Sequence, residues 1–133
     1  MGKKNFLIII TFVAVACLYR LYLENIYFSR GIESLNRGEY AVALSYFKKA
    51  KDAMPIDGRP YSASGEAYLI LFSKKRDKNY LNLAKEEFTK AARYRPTVAA
   101  NYAFLADIYR VEGNREEAQE YYRLAATLAP YKQ

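Results

Sequence analysis

Gly38 to Pro55 reads GEYAVALSYFKKAKDAMP, and the chain returns to this pattern twice, as NYLNLAKEEFTKAARYRP from Asn79 to Pro96 and GNREEAQEYYRLAATLAP from Gly113 to Pro130. Laid over one another, the three stretches put Ala43, Ala84 and Ala118 in one column. Phe47, Phe88 and Tyr122 form the next, followed by Ala50, Ala91 and Ala125, then Pro55, Pro96 and Pro130. A small residue, an aromatic four positions on and a small residue three further on share one face of a helix. The small residues admit a neighbouring helix, the ring fills the space beside them, and the proline ends the helix. Repetition at this period predicts a stacked array of helices.

Counting back from each set delimits three units, 24–57, 58–98 and 99–132. Tyr27, Gly31, Gly38 and Tyr40 supply the first unit with an aromatic, a close-packing glycine, a turn glycine and a staple. Tyr61, Gly65 and Tyr68 stand in the first helix of the second unit; Tyr102, Leu105, Ala106 and Tyr109 in that of the third. The pattern resembles the tetratricopeptide repeat over residues 24–133. Two features depart from it. Arg30, Ser34 and Ser64 occupy apolar positions, and the second unit carries seven extra residues around the basic run 74–78, which reads as a solvated loop or a contact for an acidic partner.

The resemblance implies an all-α solenoid, with antiparallel helix pairs wound into a right-handed superhelix around a concave groove. Helices are expected near 24–37, 40–54, 59–73, 79–94, 98–112 and 115–129. The groove would be lined by Asn25, Phe28, Ile32 and Leu35, then Arg59, Ser62, Glu66 and Leu69, then Ala100, Ala103, Phe104, Asp107 and Arg110. One subclass of the family clamps the C-terminal carboxylate of chaperone tails. Its clamp positions map to Phe28, Ile32, Ala63, Ala100 and Phe104, none of which is charged, so that activity does not carry over. Only three residues follow Pro130, so Tyr121, Leu124 and Leu128 on the last helix read as an uncapped end that either tolerates exposure or is covered by another subunit or a second copy.

The leader, residues 1–23, is of another kind. Phe6 to Tyr19, FLIIITFVAVACLY, carries no charge. Its helix would span about 21 Å, and about 27 Å with Leu21, Tyr22 and Leu23 added and Arg20 snorkelling, close to the ~30 Å of a hydrocarbon core. A single-pass anchor is the first reading. Ala14-Val15-Ala16 also fits a signal-peptide cleavage site, and with Cys17 it resembles a lipobox that would make Cys17 a lipidated residue. Against both, LYRLYLENIYF continues with helical hydrophobicity past Cys17, and no proline or glycine lies between Lys3 and Arg30. The anchor is therefore expected to run into the first repeat helix. The turns near 55–60, 95–99 and 130–133 would then face the bilayer, presenting Arg59, Arg93, Arg95 and Lys132 to headgroups. Lys3 and Lys4 favour an N-terminus in the cytoplasm and a repeat domain outside it.

Composition narrows the function. The chain has no histidine and one cysteine, which leaves no disulfide within the chain and no Cys/His metal site. No cofactor is implied, and isolated glycines give no phosphate cradle. Glu86-Glu87 and Glu116-Glu117 read as solvated charge, so no catalytic constellation emerges and an enzyme is not expected. Residues 1–23 hold three basic and no acidic groups, leaving 18 basic against 14 acidic for the rest, well short of a nucleic-acid-binding arm. The expectation is a membrane-anchored adaptor serving a larger membrane complex. A self-associating structural subunit and a lipoprotein modified at Cys17 are the alternatives.

Overall fold

The computed structural model describes residues 2–129. Among them six helices follow in order: α1 (Lys3–Asn36), α2 (Tyr40–Ala53), α3 (Arg59–Lys75), α4 (Lys78–Tyr94), α5 (Ala99–Glu112) and α6 (Arg115–Leu128). They pack as three hairpins, α1 with α2, α3 with α4 and α5 with α6, and α2 and α4 each lie against the first helix of the next hairpin.

The helix ends follow from local chemistry. Gly38 and Gly113 have φ of 78° and 87°, which only glycine adopts without strain. At the second of these, the Asn114 amide donates back to the Tyr109 carbonyl at 2.9 Å, closing the last turn of α5. At the ends of α2 and α4, Met54 and Arg95 leave the helical region because each precedes a proline. The corresponding Pro130 lies outside the described residues.

The alanine columns sit at equivalent helix crossings. Ala43, Ala84 and Ala118 are all buried, as are Ala50, Ala91 and Ala125. Phe47 and Phe88 are fully buried, each lying where a methyl group on Gly31 or Gly65 would have to stand. For Gly65 that methyl would come within 2.7 Å of the Phe88 ring. Both glycines are thus there for close approach, and they fix an offset of 34 residues between α1 and α3. Tyr122, third in the aromatic column, is 39% exposed. Phe47 packs with Ala63 of α3 and Phe88 stacks on Phe104 of α5, with centroids 4.6 Å apart; no following helix covers Tyr122 among the described residues.

The expected loop at 74–78 is mostly helix. α3 and α4 each have 17 residues, against 14 in α2, α5 and α6, so the extra sequence lengthens both arms of the second hairpin. Only Arg76 and Asp77 lie between them. Arg76 takes a left-handed conformation (φ 57°), and the Asp77 carboxylate accepts from the Asn79 amide at 2.9 Å, capping α4.

α1 is continuous over 34 residues. Residues 24–36 pack in the first hairpin, while the apolar residues from Phe6 to Tyr22 are exposed. α1 is long and apolar enough to cross a membrane, a condition that a signal sequence also meets.

Candidate functional site: the groove and the open end

α1, α3 and α5 lie side by side and carry the groove positions. Polar bridges join the N-terminal end of α3 to α1 and to the start of α5. Arg59, the first residue of α3, donates to Glu24 at 2.8 Å and to Asn25 at 3.2 Å. It also pairs with Asp57 at 2.7 Å, and its guanidinium lies 5.1 Å from the centre of the Phe28 ring. Further along, the Ser62 hydroxyl donates to Asn101 of α5 at 2.7 Å. The expectation that Arg59 is free for a partner or a headgroup is corrected here. Glu24 is wholly buried, and its charge would be costly without that guanidinium. Burial pushes the Asp57 carboxyl up, but the hydrogen bonds and charge of Arg59 outweigh it and hold the group below the usual carboxylate range.

The apolar groove residues are only half available. Phe28, Ile32 and Leu35 pack against Ala43, Phe47 and Ala63. Leu69 and Phe104 pack against Leu81, Phe88 and Leu105. All five are half-buried, so each gives one side to the core and leaves the other at the surface. Between them stands Glu66, exposed and without a hydrogen-bond or ion-pair partner among the described residues. Surrounding protein still removes enough water to raise its carboxyl above the usual range, as expected for a side chain exposed within a concave surface. Ala100 is exposed and Ala103 half-buried, so neither side chain blocks the third helix's part of the groove.

Asp107 and Arg110 belong to the end of the array. Arg110 donates to Asp107 at 3.0 Å, and the Tyr122 hydroxyl of α6 donates to the same carboxylate. Arg110, Arg115, Ala118, Gln119 and Tyr122 surround a shallow depression of about 220 Å³. The end-face residues named from sequence lie differently from this cluster. Tyr121 stacks on Tyr109 and Tyr102 of its own hairpin, at 5.3 and 6.4 Å between centroids. Leu124 is exposed in the column of Lys49 and Lys90, also exposed, and Leu128 is half-buried. Tyr122 is the member of its column that no following helix covers among the described residues. The column alignment held that signal, because its two counterparts are the rings that the next hairpin covers.

Sequence reading also missed a bridge through the middle of the array. Lys51 of α2 donates to both oxygens of Glu87 of α4 at 3.0 Å and to Ser64 of α3 at 3.2 Å. Ser64, a polar residue at an apolar position, further donates to the Pro60 carbonyl at 2.8 Å and is therefore satisfied although fully buried. Cys17 is exposed on the apolar half of α1.

Three antiparallel helix pairs, joined by small residues at equivalent crossings and laid out around a groove, make the fold that of a tetratricopeptide-repeat protein. Residues 99–132 match the tetratricopeptide repeat family model. Among solved structures, the chain superposes on the crystal structure of MamA with a TM-score of 0.71 and 19% identity, covering 79% of this chain and 57% of MamA. It superposes on the first tetratricopeptide-repeat domain of Spaghetti (RPAP3), bound to the HSP90 peptide SRMEEVD, with a TM-score of 0.71 and 18% identity, covering 82% and 81%. The second such domain of the same protein, bound to the same peptide, gives 0.73 and 15%, covering 84% and 98%. These likenesses concern the fold, and this chain spans little more than half of the MamA structure. No curated protein matches the sequence.

Proposed function

We propose that this protein is a membrane-anchored adaptor whose repeat domain binds a protein partner as part of a larger membrane complex. The observation that carries the reading is α1 itself. Its apolar half buries nothing within the protein, and the same helix, unbroken, forms the first wall of a groove. Burying that half in a bilayer removes the largest exposed apolar surface of the chain. A rigid junction then holds the groove at fixed height and orientation beside the membrane, which raises its effective concentration toward a partner in the same membrane.

The groove suits a helix or an extended segment. Phe28, Ile32, Leu35, Leu69 and Phe104 offer apolar contact, and unpaired Glu66 favours a cation on the partner. The peptide carried by the Spaghetti domains is not a guide to that partner. The positions of a carboxylate clamp hold Phe28, Ile32, Ala63, Ala100 and Phe104 here, and none can pair with a carboxylate. Lys3 and Lys4 at the start of α1 favour an N-terminus in the cytoplasm and a repeat domain outside it.

Full-length tagged chain purified from its native membranes in mild detergent tests the reading. Glu66→Arg with Ala100→Glu changes two exposed groove residues without touching the core. A stoichiometric partner lost from this variant, with unchanged helicity, supports the adaptor. A solitary chain, or a partner indifferent to the substitutions, removes the groove from consideration. In the second case, the open end at Tyr122 becomes the binding surface to test, with Tyr122→Glu.

A further inference from the structure

We infer that the repeat domain rests directly on the bilayer, through a lipid-binding face made by Ile56, Arg93 and Arg95 and selective for anionic phospholipid headgroups. This rests on the reading of α1 as an anchor and adds a second, independent membrane contact to it.

The level of this face follows from the repeat. The 34-residue offset that places Gly65 on Gly31 also places the turn Met54–Asp57 at the level of Arg20–Leu23. The turn Arg95–Val98 adjoins it, with the Arg95 side chain lying against Gly58. Arg20–Leu23 is where the apolar stretch ends, and the packed part of α1 starts with buried Glu24. No spacer separates the two. With α1 across a membrane, both turns therefore lie at headgroup depth.

Their side chains suit that depth. Ile56 is 70% exposed, more than any other large apolar residue among those described beyond position 22. In water such an isoleucine is unfavourable; at the headgroup boundary its side chain can enter the acyl region. Arg93 and Arg95 are exposed, and neither has a hydrogen bond or ion pair among the described residues. Asp57, in the neighbouring turn, pairs with Arg59 at 2.7 Å and also feels the charge of Arg95, so it offsets only part of the positive charge here. The face is therefore cationic with an apolar tip, which is the chemistry of an anionic lipid surface. The other basic run, Lys74 to Lys78, lies at the opposite ends of α3 and α4, about 25 Å away along helices of this length. Two of its lysines sit over the Tyr40 and Tyr80 rings, and the run carries no exposed apolar residue.

The test uses the full chain in a Cys17→Ala background, reconstituted into vesicles of phosphatidylcholine alone or mixed with phosphatidylglycerol. An environment-sensitive fluorophore is placed in turn at Phe12→Cys, Ile56→Cys and Lys78→Cys, and quenched from lipids bearing nitroxides near the headgroup or deep in the chain. The expected result is deep quenching at position 12 in both vesicles, shallow quenching at 56 that strengthens with phosphatidylglycerol, and none at 78. Arg93→Gln and Arg95→Gln should each lower the docked-to-undocked ratio at position 56 roughly fivefold. A label at 56 that stays in water while the one at 12 is deep overturns the docking face and leaves the anchor standing. Equal quenching at 56 and 78 also overturns the face. A label at 12 that stays in water overturns both.

Discussion

Phe88→Ala and Tyr122→Ala remove rings from the same column of the array, yet they should differ in cost by about 2 kcal/mol. Phe88 is fully buried, stacked on Phe104 and seated where Gly65 has no side chain. Its loss leaves a closed cavity between two hairpins, and removal of a buried phenyl ring costs about 3–5 kcal/mol. Tyr122 is 39% exposed, so only the remaining part of its apolar burial is lost, about 1–2 kcal/mol, and water fills the space. Its hydrogen bond to Asp107 lies at the surface and adds little. At roughly 4 °C per kcal/mol for a domain of this size, the two variants should melt some 8 °C apart. Thermal and urea unfolding of the full chain in detergent, followed by circular dichroism, measures the difference. Equal losses would show that Tyr122 is covered in solution and would refute the open end. A loss below about 1 kcal/mol for Phe88→Ala would refute the equivalence of the helix crossings themselves.

Gly65→Ala places a methyl 2.7 Å from the Phe88 ring, which is held on its other side by Phe104; the overpacking cost of about 1–3 kcal/mol should exceed the ~1 kcal/mol that alanine gains in a helix, lowering the urea midpoint. Arg76→Gly should do the opposite, adding up to about 1 kcal/mol of stability and raising the midpoint, because glycine takes the left-handed conformation without strain. Acidification should destabilise the domain through Asp57. Its folded pKa lies below the unfolded value, so the stability it contributes is present above the unfolded pKa and is lost as pH falls through the folded one. Asp57→Asn should therefore flatten the fall in unfolding midpoint below about pH 4. Glu66 has the reverse sign: its folded pKa is raised, so its charge is a cost at neutral pH, and Glu66→Gln should raise the midpoint there and leave it unchanged in acid.

The repeat was legible because its signals are local and each has a single physical meaning: alanines spaced for a tight crossing, a ring between them, a proline after the last turn. The 74–78 run was misread for a related reason. Its charges suggested a loop, but no glycine or proline interrupts 73–79, and Asp77 is a capping residue that starts a helix two residues after Lys75. Site residues were harder to read because their roles are set by partners distant in sequence. Arg59 looked free until Glu24, 35 residues earlier, was found buried against it. Nothing local marks Lys51, whose partner Glu87 lies 36 residues on, at 3.0 Å in α4. Phe28 and Ile32 could be placed on the groove from their register, but how far the next hairpin buries them depends on packing that no single repeat encodes.

The two ends of the array differ chemically, and the difference gives it a direction. In α3 and α5 the face turned to the preceding hairpin includes Ala63, Ser64 and Ala67, or Phe104, Leu105 and Ile108, all buried or half-buried. The same register positions in α1 are Ser29, Arg30 and Glu33, all exposed. That face is dressed for water, as at the terminus of a solenoid. α6 keeps the small residues Ala118 and Ala125 and a ring at Tyr122, the set that receives a following helix twice within this structure, although exposed Arg115 stands in the column of Tyr40 and Leu81. A helix stacking there would need a small or aromatic residue opposite Tyr122, where Ala63 and Phe104 stand opposite Phe47 and Phe88. α1 of a second copy would bring Ser29 to that position instead, with Arg30 and Glu33 beside it, one repelled by Arg110 and Arg115 and the other attracted to them. Those polar side chains lack the apolar surface that Ala63 and Phe104 give to Phe47 and Phe88. A helix of different sequence, small or aromatic at that register, would fit Tyr122 better.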